Sequence, residues 1–447
     1  MKNFPRLLAA CLSVTAALFI AASCRPASPI DTSLPSSSSL TSSISSVPSA
    51  SAAESTTSLS ETTAETTASI FTASSNSAPA STRPSSALPT VSATSVTSAV
   101  PTSPTVSPPP ASTPEQILAA MSREEKVGQL FLIRCPASGT ESVINTYHPG
   151  GILLFARDFQ KRTPAQAKDV IAGYQRTSSL PLLIAVDEEG GTVNRVSRFP
   201  AYRSSPFLSP QQLFAKGGWT LIENDTAEKA ALLKSLGINV NMAPVCDIAR
   251  TPSDYIYPRT FGGTPAETAA YVERVVTAMN AAELGSVLKH FPGYGGNADT
   301  HTGAARDDRE LESFISGDFL PFAAGIRSGA GAVMVSHNTM VCLDPNAPAS
   351  LSPSVHAYLR QEMGYDGVIM TDDLAMAAVT SYADSGKAAV LAVKAGNDLL
   401  CVTDFQTQIP ALLDAVKRGE ITEAELDTHA LRILRWKERL GLLKGIT

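Results

Sequence analysis

Ser286-Val287-Leu288-Lys289-His290-Phe291-Pro292-Gly293-Tyr294-Gly295-Gly296-Asn297-Ala298-Asp299-Thr300-His301 passes from an apolar strand pattern directly into a polar, glycine-rich loop. A short apolar run that ends on charged side chains reads as a strand pointing its C-terminal end at a site. The same pattern recurs along the chain. Strands are predicted at Leu130–Ile133, Gly151–Phe155, Leu182–Val186, Ile238–Met242, Ser286–Lys289, Ala332–Val335, Gly367–Met370 and Leu399–Val402. Helical patterns separate them. Thr163-Pro164, Thr264-Pro265 (running towards Glu283) and Ser352-Pro353 each place a hydroxyl at N-cap and Pro at N1, and a last helix is predicted from Thr422 to Leu440. Regular strand–helix alternation argues for a parallel sheet, and eight strands argue for a closed (β/α)8 TIM-type barrel. Asp187, Asn241, Lys289-His290, Ser336-His337 and Asp372-Asp373 each end or follow an apolar run. They fall on the C-terminal rim, where barrel enzymes keep their chemistry.

The barrel occupies only part of the 447 residues. Lys2 and Arg6 precede an apolar stretch from Leu7 to Ala22, of export-signal length and short for a membrane span. Ala21-Ala22-Ser23-Cys24 follows and resembles a bacterial lipobox, with Ala21 where Leu is most common. That resemblance implies lipidation of Cys24 and a mature chain on the extracellular face of the bacterial cell membrane. From Arg25 to about Thr113 the chain is almost wholly Ser, Thr, Ala, Pro and Val, with Phe71 its one aromatic residue and neither Gly nor Lys. Such a segment cannot bury enough apolar area to offset its ordering entropy, and a disordered stalk is expected. The expected organisation is a signal over 1–23, a linker over 24–113 and one catalytic barrel over 114–447. The net charge of −6 and the lack of a basic patch exclude a nucleic-acid partner. The six cysteines are scattered singly, which excludes a zinc ribbon or a dense disulfide framework.

The segment from Lys289 to His301 resembles the KHFPGHG…DSH signature of the NagZ-like β-N-acetylglucosaminidases of glycoside hydrolase family 3. Other matches fall in order. Met121 to Phe131 resembles the opening M-x-x-E-E-K-x-G-Q-x-F, and Asp187-Glu188-Glu189-Gly190-Gly191 resembles D-Q-E-G-G. Asn241 to Asp247 resembles N-x-A-P-V-x-D, Arg259-Thr260-Phe261-Gly262 resembles R-S-F-G, and Leu351-Ser352-Pro353 with Gly367 to Leu374 resembles the nucleophile region. The resemblance covers 114–447. It implies Asp372 as nucleophile, His301 as acid/base paired with Asp299, and Asp187, Arg259, Lys289 and His290 as ligands of the sugar hydroxyls. It implies an exo-acting enzyme that releases terminal β-linked N-acetylglucosamine from a carbohydrate such as a peptidoglycan fragment, with no metal and no cofactor. A monomer is expected. Two departures stand out. Tyr294 occupies a position commonly His, and the gap from Gly295 to Asp299 is one residue shorter than the common form.

The residues themselves fit this chemistry. Retaining hydrolysis needs a rigid carboxylate below the anomeric carbon and a proton donor beside the leaving oxygen. Imidazole titrates near neutral pH, and a carboxylate on its other nitrogen fixes its tautomer. Glycines 293–296 are expected to let the loop swing. Asp373 competes with Asp372 for the nucleophile's role, but strand neighbours face opposite ways, and a cap for a helix from Leu374 is the alternative for Asp373. His337 is equally a site wall or a buried hydrogen-bonded side chain, Met376 lies near the sugar or in the core, and His148, His356 and His429 are structural or exposed. Other readings are a phosphorylase using the same residues, a non-catalytic glycan-binding barrel, and a metal-dependent hydrolase built on His290, His301, His337 and Asp372.

Overall fold

The computed structural model describes residues 112–446. The signal, Cys24 and nearly all of the linker lie outside them. Eight parallel strands form one sheet: β1 Phe131–Arg134, β2 Gly151–Leu154, β3 Leu183–Val186, β4 Val240–Asn241, β5 Gly285–Phe291, β6 Ala332–Val335, β7 Val368–Thr371 and β8 Leu400–Val402. Neighbours in sequence are neighbours in space, and β8 pairs with β1. A parallel bridge between Met370 and Leu399 joins β7 to β8 and closes the ring. This is the expected (β/α)8 barrel. Each predicted strand lies within two residues of an observed one, and β5 runs two residues further, through Phe291.

Each strand is followed by a helix, and the helix starts follow from a local rule. Thr113, Thr163, Ser209 and Thr264 each precede Pro, and each accepts a hydrogen bond from the backbone of a Gln or Glu three residues on. The Gln or Glu side chain bonds back to the cap's own amide, so two otherwise unpaired donors are satisfied at each start. Helices Pro164–Thr177 and Pro265–Ala281 begin where the sequence places them, and Glu423–Arg439 covers the predicted last helix. Ser352-Pro353 starts a shorter element, Pro353–Ala357, continued by a π turn through Glu362. The strand residues are almost wholly buried, as in a barrel packed inside and covered by helices outside.

This arrangement gathers the strand ends at one rim. β5 and the rim segments after β3, β4, β5 and β7 carry the candidate residues.

Candidate active site

A cavity of about 840 Å³ opens at the C-terminal rim, within the range of small-molecule sites. Asp187, Arg259, Lys289, His290, His301 and Asp372 all line it. Every sequence-predicted site residue of the barrel is therefore at this cavity, with Asp299 joined to it through His301.

β5 supplies two neighbours. Its ladder with β6 is irregular between Leu288 and Phe291, and both Lys289 and His290 reach the cavity. The Lys289 ammonium lies 2.8 Å from Asp187 Oδ1 and 2.6 Å from Glu189 Oε1. Burial opposes its charge, but Asp187 and Glu189 outweigh that and raise its pKa. Arg259 grips Glu189 with two bonds, Nε to Oε2 at 3.0 Å and a terminal nitrogen to Oε1 at 2.8 Å. Burial alone would raise the Glu189 pKa, yet Arg259 and Lys289 hold it well below the usual carboxylate range. Glu189 is thus the hub that keeps two cations at the cavity.

His290 is fixed from both sides. Arg259 can only donate, so His290 Nε2 accepts from it at 3.1 Å, and Nδ1–H donates to Asp247 Oδ2 at 2.7 Å. Asp247, fully buried, also accepts from the amides of His290 and Tyr294. Neither Glu189 nor Asp247 was assigned a role from sequence. Both stand inside the quoted motifs, so the signal was present without a way to rank it. Their neighbour Glu188 is structural, accepting from the amides of Arg195, Val196 and Ser197.

Asp372 and Asp373 follow β7, and both border the cavity. Strand alternation does not separate them, because the chain has already left the strand. Hydrogen bonding does. Asp373 accepts from the amides of Ala375 and Thr403 at 3.0 and 3.1 Å and from the Thr403 hydroxyl. It ties two rim loops together and caps no helix, since the next helix starts at Ala377 with Met376 as its cap residue. Asp372 accepts one bond, from the Asp373 amide to Oδ1 at 2.8 Å, and Oδ2 has no bond among the described residues. Burial raises its pKa, but the imidazoles of His290 and His337, the Asp373 amide and His301 prevail and lower it. An ionised carboxylate with one oriented and one open oxygen is equipped for nucleophilic attack.

His337 lies behind this pair. Its Nε2 donates to the Asp373 carbonyl at 3.1 Å and its Nδ1 accepts from Ser350 at 2.7 Å. Burial lowers its pKa, although Asp372 and the Asp373 carbonyl act the other way, and it braces the site wall from behind. Met376, buried, lines the cavity. His356 is buried against the Ser352 carbonyl, His429 bonds Asp398, and His148 ends a helix in the left-handed region.

His301 Nδ1 donates to Asp299 Oδ1 at 2.6 Å, which leaves Nε2 for a reaction at the cavity. The dyad is more exposed than the rest, with the His301 side chain 56% accessible. Thr300 between them is fully buried, and its hydroxyl meets the phenol of Tyr294. Part of the glycine run is packed. Gly293 and Gly295 are buried with φ of 112° and 55°, and a Cβ on Gly293 would lie 2.5 Å from Asp318 Oδ1. Exposure begins only at Gly296. Arg309, held by Asp307 and Asp318, anchors this base, and Asn297 bonds Asp307.

Residues 122–436 match the family described as glycosyl hydrolase family 3 N terminal domain. The chain belongs to glycoside hydrolase family 3. This family 3 hydrolase is 31% identical over 338 residues to beta-hexosaminidase LpqI of Mycobacterium tuberculosis, covering 72% of this chain and 85% of that one. It is 34% identical over 275 residues to a beta-hexosaminidase of Methylococcus capsulatus, covering 60% and 80%. Among solved structures it resembles a family 3 beta-N-acetylglucosaminidase from Paenibacillus with a TM-score of 0.68 and 33% identity, covering 73% of this chain and 64% of that longer chain.

Proposed function

We propose that this family 3 enzyme is an exo-acting, retaining β-N-acetylglucosaminidase. The observation that carries the reading is the Asp372 carboxylate, with one oxygen held and one open, sharing a cavity with the Asp299–His301 dyad. Its similarity to beta-hexosaminidases and to a family 3 beta-N-acetylglucosaminidase supports the choice of sugar.

In the first step Asp372 attacks the anomeric carbon as the bond to the leaving oxygen breaks, and His301 Nε2 gives that oxygen its proton. A glycosyl ester on Asp372 results. Water then attacks the same carbon, His301 takes its proton, and the ester bond breaks to release Asp372. Asp187, Lys289, Arg259 and His290 hold the hydroxyls of the terminal sugar, a cluster of fixed donors and acceptors suited to vicinal hydroxyls. With export and lipidation at Cys24, the enzyme works outside the cell membrane on wall fragments capped by N-acetylglucosamine.

The test is nitrophenol release by the chain from p-nitrophenyl β-N-acetylglucosaminide beside p-nitrophenyl β-glucoside, with and without phosphate. Preference for the acetamido substrate, with free sugar as product, is expected. A phosphate-dependent sugar 1-phosphate makes it a phosphorylase, and no turnover rejects the reading.

A further inference from the structure

The segment from Glu188 to Gly191, just after β3, is tied down at each backbone group. Asn241 on β4 clamps Glu188, accepting from its amide at 3.0 Å and donating to its carbonyl at 3.1 Å. The amides of Glu189 and Gly190 donate to the Val193 carbonyl, and the Gly191 amide donates to the Phe207 carbonyl. The Val193 amide and the Asn194 side chain donate to the carbonyls of Gly190 and Gly191. All of these partners are neutral. The exception is the Glu189 carbonyl, which accepts from the Lys229 ammonium at 3.2 Å.

Lys229 comes from the helix Pro210–Ser235 and is buried together with Asp225, one turn earlier, whose carboxylate lies 3.1 Å from the ammonium. The Phe207 ring centre is 5.0 Å from the same nitrogen. The pair borders a small cavity of about 20 Å³, separate from the catalytic one and lined also by Glu189, Asn241 and Tyr271. A flexible lysine stem commonly carries its charge out to water. Here it turns inward, although a buried ion pair is often no more stabilising than apolar side chains of the same volume. Fold stability is therefore a weak reason for the pair. What it supplies is direction, because a charged donor held by its own carboxylate makes a strong, oriented bond to the Glu189 peptide. The loop has little freedom on its other side. Gly190 has a φ of 99°, and a Cβ there would lie 2.2 Å from the Leu208 carbonyl oxygen. The side chain carried by this fixed peptide is the one that binds Arg259 and Lys289 at the catalytic cavity.

We infer that Lys229, held by Asp225, is a positioning residue that fixes the Glu189 peptide and so sets where Arg259 and Lys289 meet the substrate. The inference deepens the glycosidase reading and rests on it for its kinetic readout.

The experiment measures kcat and KM on p-nitrophenyl β-N-acetylglucosaminide, well below Tm, for the full chain and its Lys229→Met and Lys229→Arg variants. The paired variant Asp225→Asn/Lys229→Met removes both charges and leaves no buried carboxylate unpaired, which guards against a misfolded single variant. Lys229→Met and the paired variant should lower kcat/KM about 10- to 100-fold, the scale of a lost charge-assisted hydrogen bond or of a 1 Å misplacement at a site. Lys229→Arg should recover part of the loss. In a Glu189→Gln background, Lys229→Met should cost less than about twofold more, because residues that act through one another are not additive. A lower Tm with kcat/KM within about twofold of wild type, or the full loss repeated in the Glu189→Gln background, overturns the inference. A crystal structure of the paired variant asks the same question without a sugar. The Glu189 carboxylate and the Arg259 guanidinium should be displaced by about 1 Å, and unmoved groups overturn the inference. Absence of wild-type turnover counts against the glycosidase reading alone, since the crystal structure still decides the role of Lys229.

Discussion

Two adjacent aspartates after β7 have different fates because their hydrogen bonds differ. Asp373 spends both oxygens on the Ala375 and Thr403 loops, while Asp372 keeps one free. Asp372→Asn is nearly isosteric and should cut turnover by roughly 10⁴-fold or more, the scale of losing a catalytic group, with Tm within a degree or two. Asp373→Ala should instead lower Tm and leave a measurable rate, since it cuts the tie between two rim loops. Substantial activity in Asp372→Asn would transfer the nucleophile to Asp373. The proposed acid role of His301 predicts a second asymmetry. His301→Ala should slow natural substrates by about 10²- to 10⁴-fold, as expected for general acid catalysis, and activated nitrophenyl substrates far less in the glycosylation step. Equal slowing of both would count against proton donation.

The loop after β5 shows how an element positions a dyad that is itself exposed. Its base is buried and pinned by Asp247, Arg309 and the Tyr294–Thr300 contact, and the exposed part is the short stretch that carries Asp299 and His301. Tyr294→Phe removes one hydroxyl and leaves the Thr300 hydroxyl without that partner, at a cost of about 1–3 kcal/mol. The expected result is a lower kcat on poor leaving groups at nearly constant KM, with activated substrates less affected. A change confined to KM would show that the phenol serves the sugar pocket instead. Much of this region was legible in the sequence. Apolar runs ending on Asp187, Lys289 and Asp372 located the rim, and the Asp299–His301 spacing located the dyad. Glu189 and Asp247 were not ranked. A carboxylate becomes a hub only through partners that the fold brings to it, as Arg259 and Lys289 come to Glu189 across 70 and 100 residues. For a related reason, nothing local to Gly293 announces that Asp318 packs on it.

At the scale of the molecule, the barrel's first and last segments hold each other beneath the strands. Helix Glu423–Arg439 packs on Pro114–Ala120 and Arg123–Gln129, and Trp436 fits against Gly331, where a Cβ would lie 2.3 Å from its Nε1. The ion pairs Arg123–Glu423 and Arg435–Glu115 along this seam are exposed and add little. Lys437 is different. It is completely buried, and among the described residues its ammonium meets only Gln129 Oε1, at 2.6 Å. Burial pushes its pKa down to about 7, whereas an unfolded lysine titrates near 10.4. Between these values the unfolded chain binds a proton that the folded one lacks, so this residue makes stability rise with pH from about 7 to about 10. Below pH 7 the folded state carries a buried ammonium and the penalty is greatest. Lys437→Met should therefore stabilise the protein most at pH 6–7, by about 2–4 kcal/mol after allowing for the unpaired Gln129. The gain should shrink as pH approaches 10. Urea titrations of both proteins at pH 6, 8 and 10 read this directly. Curves separated by the same amount at every pH would mean that Lys437 keeps its proton in the folded state up to an ordinary lysine pKa, held by water or a partner at the seam.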